Sequence, residues 1–175
     1  MTPDPTDQTD QAAPTVRRAL PAAVVVASNR ASAGVYADTT GPLIVEALLG
    51  LGFEVGEPAV VPDGEPVAAA IRAAVEAGAR VVLTTGGTGL TPTDRTPEAT
   101  RSVVEREVPG IAEAIRAHGV AQGVPTAMLS RGIAGVVGTT LVVNLPGSRG
   151  GVKDGLAVLT PVLVHAAEQV VGSDH

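Results

Sequence analysis

The sequence predicts an α/β fold, a three-layer α/β/α sandwich around a mostly parallel, mixed sheet. Short apolar runs such as Ala22–Ala27 are continuously hydrophobic rather than alternating, which is typical of strands buried on both faces. Between these runs lie stretches whose apolar residues recur at helical spacing, and the connections are short. Alternation of strands and helices favours a sheet covered by helices on both sides.

The predicted elements begin at Leu20 and follow one another closely. Gly52 and Gly78 end the first two long helices, because glycine readily adopts the backbone conformation that closes a helix. Thr96 is predicted as an N-cap with Pro97 in the first helical position. We predict strands at 22–27, 53–61, 80–85, 132–137 and 140–144. We predict helices after Thr40-Gly41-Pro42, around Val67–Val75, from Thr96 and over Ile111–His118, and a last helix after 151 that breaks near Thr160-Pro161 and resumes over 162–171.

The composition predicts one soluble, cytoplasmic domain. Of the 175 residues, we expect 20–172 to form this domain and the polar segment 1–19 to be a disordered tail. A net charge of −6 with no basic stripe argues against nucleic-acid binding. The absence of cysteine excludes disulfides and thiolate chemistry, and neither a signal-peptide pattern nor a membrane-length apolar run is present.

A glycine-rich segment, Gly86-Gly87-Thr88-Gly89, follows the strand at 80–85 and is the strongest functional motif. Glycines let backbone N–H groups approach an anion closely, so the segment favours phosphate binding. A tight strand–helix connection is the alternative, although one glycine would be enough for it. The pattern is neither the dinucleotide-binding fingerprint nor a P-loop, because the required glycine spacing and the following lysine are absent.

Three aspartates also follow predicted strands. Asp63 lies in a turn-like Pro-Asp-Gly sequence, Asp94 follows the glycine-rich segment, and Asp38 precedes a helix that it is also suited to cap. Each therefore has a purely structural alternative. Because loops after parallel strands gather at one edge of a sheet, we expect Asp63 and Asp94 to meet beside the glycines, where they are suited to hold Mg²⁺.

The remaining candidates leave more alternatives open. Pro146-Gly147-Ser148 precedes a helix and is either a second phosphate cradle or a turn. Arg131 is suited to bind a phosphate or to make a structural contact. The three histidines, two on helical stretches and His175 at the terminus, have no companion ligands, and we assign them no role.

Five blocks of the chain resemble the MoaB/Mog family of molybdenum-cofactor biosynthesis proteins in order and spacing. They are residues 28–38, 61–63, 84–98, 129–132 and 144–148, and the first of them is most similar to the MogA branch. The likeness covers the chain apart from the tail. It departs from the family pattern at Thr93, where relatives often have arginine, and at Arg149, where the second loop often has proline.

The resemblance implies a molybdopterin adenylyltransferase, which converts MgATP and molybdopterin to adenylylated molybdopterin and pyrophosphate. It also implies a homo-oligomer, usually a trimer and sometimes a hexamer, and a downstream molybdate-insertion protein as a partner. A non-catalytic molybdopterin-binding scaffold of the MoaB type remains the alternative. By the resemblance, the catalytic and metal-binding residues are Asp63 and Asp94, and the ligand-binding residues are Ser28, Asp38, Gly86, Gly87, Thr88, Gly89, Ser130, Pro146, Gly147 and Ser148.

Overall fold

A computed structural model describes residues 19–172 and contains one seven-stranded mixed sheet. Its order is β2-β1-β4-β7-β6-β5, and β3 pairs with the end of β1 beyond β2. The central pairs β1–β4 and β4–β7 are parallel, whereas β5 and β6 run antiparallel to their neighbours. The strands are β1 Pro21–Ala27, β2 Glu54–Val55, β3 Ala59–Val61, β4 Val81–Thr85, β5 Arg106–Glu107, β6 Ala134–Val137 and β7 Thr140–Leu145.

Helices cover both faces of this sheet, which confirms the predicted three-layer fold. One face packs against α2, α5, α6 and α7, and the other packs against α3 and α4. Neighbouring residues of β1 and β4 belong to opposite cores, as the two-residue period of a strand requires. The helices are α1 Asn29–Ser32, α2 Gly41–Gly50, α3 Glu65–Glu76, α4 Thr96–Arg101, α5 Pro109–Ala121, α6 Arg149–Leu159 and α7 Leu163–Gln169, with a 3₁₀ segment at Pro125–Leu129.

The structure corrects several local predictions. The strand expected at 53–61 is divided into β2 and β3 around Pro58, which has no N–H to donate to a ladder. Thr96 is not the N-cap of α4: Arg95 takes that position, and Thr96 is the first helical residue, with its N–H donated to the Gly87 carbonyl at 3.0 Å. The helix α1, the two-residue β5 and the 3₁₀ segment lie where no element was predicted. The predicted tail and His175 fall outside the described residues, apart from position 19.

The parallel strands end at one level and bring their following loops together. Ala27 pairs with Val61, Val26 with Thr85, and Thr85 with Leu145. Loops 28–38, 62–64, 86–95 and 145–151 therefore start from the same edge of the sheet, as predicted. None of the helices within 19–172 has both the length and the apolar character needed to cross a bilayer.

Candidate active site

The glycine-rich loop turns sharply where β4 ends. Gly86 and Gly87 have φ values of +91° and +63°, the left-handed region that side chains disfavour. A Cβ on Gly86 would also overlap the carbonyl oxygen of Ala27. Both glycines are thus required by local geometry, whatever ligand the loop binds.

The second glycine-rich loop packs directly against the first. The Thr85 hydroxyl donates to the Pro146 carbonyl at 2.7 Å, and a Cβ on Gly147 would lie 3.1 Å from the Cα of Gly86. Ser148 caps α6, since its Oγ accepts from the N–H of Gly151 at 3.1 Å. The start of α6 is therefore fixed beside the end of β4.

Backbone N–H groups of both loops are left without protein acceptors. Within the part of the chain that the structure describes, the N–H groups of Gly87, Thr88 and Gly89 donate to no acceptor, and neither do those of Gly147 and Ser148. All five residues line one cleft of about 580 Å³. Converging, unpaired N–H groups form a concave site suited to phosphate oxygens, and the N-terminus of α6 adds a favourable dipole.

Asp63 and Asp94 lie over the glycine loop. A Cβ on Gly87 would be 2.7 Å from the Asp63 Cγ, and a Cβ on Gly89 would be 2.7 Å from Asp94 Oδ2. Both carboxylates thus border the glycine loop, as predicted, and the charge of Asp94 reaches Asp63. Asp94 lines the larger cleft, whereas Asp63 lines a second cleft of about 460 Å³ together with Arg95 and Glu98.

Backbone donors orient the Asp63 carboxylate. Its Oδ1 accepts from the N–H groups of Gly64 at 2.7 Å and Arg95 at 3.0 Å, and its own N–H donates to Asn29 Oδ1 at 3.0 Å. Burial raises the pKa of Asp63 above its ordinary value of 3.8, and the Asp94 carboxylate adds to the rise, while the two backbone donors act in the opposite direction. Asn29 was not among the predicted site residues, although it lies in the 28–38 block.

Asp94 is held by its own turn. Its Oδ2 accepts from the Thr91 N–H at 2.9 Å and from the Thr91 hydroxyl at 2.7 Å. Its Oδ1 has no partner among the described residues. One oxygen therefore fixes the side chain and the other remains available to a ligand.

Arg131 makes structural contacts, which was one of the two alternatives for this residue. Its Nε donates to the Gly89 carbonyl at 2.8 Å and its Nη2 to the Asp94 carbonyl at 2.6 Å, while Nη1 pairs with Glu98. The hydrogen bond from Arg131 lowers the pKa of Glu98. Arg131 thereby anchors the main chain on both sides of the turn that carries Asp94.

Two predicted ligand-binding side chains have local partners instead. The Ser28 Oγ accepts from the Ala31 N–H at 3.1 Å and caps α1. Asp38 accepts from the Thr40 N–H at 2.9 Å and from the Gly41 N–H at 3.0 Å, and so supports the start of α2, its structural alternative. Neither residue lines the two clefts, and nor does Gly86. Ligand binding by these three residues stays a prediction.

The other predicted residues meet in the larger cleft. The cleft is also lined by residues that the motifs did not indicate, among them Arg116, Thr126 and Asp154. These lie on α5, the 3₁₀ segment and α6, away from the strand ends on which the sequence prediction depended. The predicted residues that line this cleft are Gly87, Thr88, Gly89, Asp94, Ser130, Pro146, Gly147 and Ser148.

The donor atoms beside Asp63 are suited to Mg²⁺. The Thr96 hydroxyl is buried next to the Asp63 carboxylate; it has no partner of good hydrogen-bond geometry, but its interaction with that carboxylate acts against the rise in the Asp63 pKa. Carboxylate and hydroxyl oxygens are hard ligands of the kind that Mg²⁺ selects. No group of three or more acidic or histidine side chains within 19–172 is arranged to hold a metal by itself. A magnesium ion that also binds substrate phosphates needs only one or two carboxylates.

Comparisons with known proteins show the family to which the chain belongs. The family described as "Probable molybdopterin binding domain" matches residues 23–165. A molybdenum cofactor biosynthesis bifunctional protein of Synechococcus elongatus is 41% identical over 156 residues, which are 88% of this chain and 48% of that protein. The chain thus spans about half the length of this bifunctional relative.

Two further relatives match over most of their length. A molybdopterin adenylyltransferase of Helicobacter pylori is 35% identical over 159 residues, covering 86% of this chain and 87% of the relative. The solved structure of the molybdopterin biosynthesis Mog protein from Mycobacterium ulcerans is 49% identical with a TM-score of 0.84, and the match covers 89% of this chain and 99% of that one. The chain therefore belongs to the molybdopterin-binding domain family that includes the MogA and MoaB proteins.

Proposed function

We propose that the chain is a molybdopterin adenylyltransferase, which transfers AMP from MgATP to the terminal phosphate of molybdopterin. The observation that carries this proposal is the convergence of unpaired N–H groups from two glycine-rich loops on a cleft that Asp94 also lines. Such a cleft suits a ligand that ends in a phosphate. The adenylyltransferase relative from Helicobacter pylori, matched over most of its length, supports the same reaction.

The reaction joins two phosphate-bearing substrates, and the glycine loop is suited to be their meeting point. An oxygen of the molybdopterin phosphate attacks the α-phosphorus of ATP. The bond from that phosphorus to the bridging oxygen breaks, and the electron pair leaves with pyrophosphate. The attacking phosphate is already ionised at neutral pH, so the protein needs no strong general base. Its contribution is alignment and charge stabilisation.

Asp63 and Asp94 both act in this proposal beside the glycine loop. The N–H groups of Gly87, Thr88 and Gly89 hold phosphate oxygens in line for the displacement. We assign Mg²⁺ to Asp63 and Asp94, where it supplies positive charge to the departing pyrophosphate. This assignment is supported by the unpaired Asp94 oxygen and by the Thr96 hydroxyl that is buried beside Asp63.

The test measures ATP-dependent pyrophosphate release in the presence of molybdopterin. Asp94→Asn keeps the shape of the side chain but removes its charge, and we expect the rate to fall about 100-fold or more, as for other losses of transition-state charge stabilisation. Glu113→Gln is the matched control, because Glu113 is exposed on α5 and lines neither cleft. Unchanged release by Asp94→Asn would refute the assignment. Binding of molybdopterin by the wild type without any release would instead support a scaffold.

We also propose that the protein works in the cytoplasm as a homotrimer and passes its product to a molybdate-insertion protein. The family resemblance supports these points. Light scattering coupled to size-exclusion chromatography tests the assembly, with a mass of three chains expected. A monomer at micromolar concentration would contradict it.

A further inference from the structure

Asp154 is a half-buried carboxylate that the proposed chemistry does not use. It lines the larger cleft, and it makes no hydrogen bond or ion pair with any residue in 19–172. Its surroundings in the cleft include the apolar side chains of Ile115, Val124 and Ala127. A carboxylate beside apolar walls is unfavourable unless donors reach it. Because Asp154 is partly exposed, water reaches it in the free protein, and a ligand with N–H donors would take the place of that water.

The position of Asp154 on α6 relates it to the phosphate-binding end of the cleft. It lies six residues after Ser148, which is about 9 Å along the helix axis. Gly150 and Gly151 precede it by four and three residues and so share its helix face, and all of them line the cleft. A ligand whose phosphate sits at the start of α6 therefore extends along this face toward Asp154.

Arg116 supplies donors to the same cleft from the adjacent helix α5. Its Nη1 donates to the carbonyls of Ser130 at 3.3 Å and Gly132 at 3.0 Å, which anchors the guanidinium. Arg116 and Asp154 form no ion pair with each other, and both side chains line the cleft. The wall made by α5 and α6 thus offers hydrogen-bond donors and acceptors next to apolar surface.

We propose that Asp154 recognises the pterin ring and thereby distinguishes molybdopterin from ATP, an inference that rests on the proposed function. The 2-amino-4-oxo edge of a pterin presents two adjacent N–H donors, which match the two oxygens of a carboxylate as a guanidinium does. Adenine presents an acceptor nitrogen next to its amino group, so one carboxylate oxygen would be opposed by a lone pair. Asp154 thus favours the pterin in this part of the cleft and disfavours the adenine.

The apolar walls complete this arrangement. Leu90 and Leu129 are 65% and 48% exposed at the cleft, although both are large hydrophobic residues. A flat ring system bound between α5, α6 and the 3₁₀ segment would cover such side chains. Because the chain contains one Phe and one Tyr, aliphatic contact takes the place of aromatic stacking.

The experiment compares two ring systems that differ at one atom. The probes are pterin-6-carboxylate and lumazine-6-carboxylate, in which the amino group is replaced by a carbonyl oxygen, and binding is followed by their own fluorescence. We expect the wild type and Glu113→Gln to bind pterin-6-carboxylate at least about tenfold more tightly than lumazine-6-carboxylate. The lumazine lacks the amino group and so loses a hydrogen bond to the charged carboxylate. Asp154→Asn should abolish or reverse this preference, because an amide offers one acceptor and one donor.

Kinetics provide the second arm. For Asp154→Asn, we expect the KM for molybdopterin to rise at least about tenfold while the KM for ATP stays within about twofold, with thermal melting to confirm folding. If Asp154→Asn keeps the wild-type ring preference, or has an unchanged KM for molybdopterin, the role of Asp154 in pterin recognition is overturned. The proposed adenylyltransferase function would still stand. Absence of both pyrophosphate release and molybdopterin binding in the wild type would overturn the proposed function and this inference with it. If the probes bind too weakly to measure, the KM comparison decides.

Discussion

A methyl group on Gly87 would collide with the carboxylate of Asp63. The new Cβ would lie 2.7 Å from the Asp63 Cγ and would overlap both Asp63 Oδ2 and the Thr96 hydroxyl, whereas ordinary contacts begin at 3.4 Å. The carboxylate carbon must therefore retreat by about 0.7 Å, and its oxygen must retreat farther. Gly87→Ala is thus a direct means of displacing Asp63 without changing its chemistry.

The expected magnitude has two parts. The left-handed φ of +63° costs about 1–2 kcal/mol of stability for an alanine. A catalytic group misplaced by about 1 Å costs about 100-fold in rate, which corresponds to about 2.7 kcal/mol in the barrier. Gly87→Ala should therefore lower both the free energy of unfolding and kcat/KM.

Two alanine variants separate these effects. Gly78 has a φ of +89° but open space around its Cβ position, so Gly78→Ala should lose similar stability and keep its activity. At Gly89 only the Asp94 Oδ2 is too close, at 2.7 Å, while the Asp94 Cγ is at 3.5 Å. Rotation of the Asp94 carboxylate relieves that contact but weakens its hydrogen bonds from Thr91, so Gly89→Ala should lose some stability and some activity, though less activity than Gly87→Ala.

The assay is pyrophosphate release at saturating MgATP, together with urea unfolding of each variant. The reasoning requires the order of activity Gly78→Ala above Gly89→Ala above Gly87→Ala. Full activity in a folded Gly87→Ala protein would show that the position of Asp63 over the loop is not important for catalysis. A Gly78→Ala protein as inactive as Gly87→Ala would show that backbone strain alone explains the loss.

Two further predictions concern stability. Asn144 is buried, donates from Nδ2 to the hydroxyls of Thr84 at 2.9 Å and Thr100 at 2.8 Å, and accepts from the Ile133 N–H at 3.1 Å. Because Asn144→Ala removes these hydrogen bonds, it should lower the free energy of unfolding, measured in urea, by about 2–4 kcal/mol. A loss no larger than that of the exposed Thr160→Ala would contradict this. Because the pKa of Asp63 is raised on folding, the folded state binds the proton more tightly, and stability falls as pH rises from the ordinary value of 3.8 through the higher folded pKa. Asp63→Asn should therefore have a higher melting temperature than the wild type at neutral pH, and the difference in melting temperature should shrink toward pH 4. A constant difference across that range would refute the assignment of the pKa shift to this carboxylate.

The sequence was sufficient to predict the sheet edge and its loops because their signals are local. Continuous apolar runs indicated strands, and glycine-rich or aspartate-containing turns followed those runs directly. The position of Asp63 beside Asp94 then followed from the parallel direction of the strands. These inferences required no knowledge of how the helices pack.

The wall of the larger cleft was not predictable in the same way. Arg116 and Asp154 lie on different helices, and their convergence depends on how α5 packs against α6. Gly119 of α5 lets both neighbours approach, since a Cβ there would lie 2.6 Å from the side chain of Ala127 in the 3₁₀ segment and 4.0 Å from Oδ2 of Asp154 on α6. Helical periodicity identifies an apolar face but does not say which helix it meets. The same limit applies to Asp38, whose sequence context favoured a helix cap slightly over a ligand.

The contacts of Arg131 have a consequence for how this loop tolerates sequence change. The guanidinium binds carbonyl oxygens of Gly89 and Asp94, and these are present whatever side chains the loop carries. Pro92 and Thr93 are exposed between the two anchoring points. Substitutions there, including the departure from the family pattern at Thr93, leave the anchor intact. The tip of the loop therefore tolerates substitution while the backbone that carries Asp94 keeps its course.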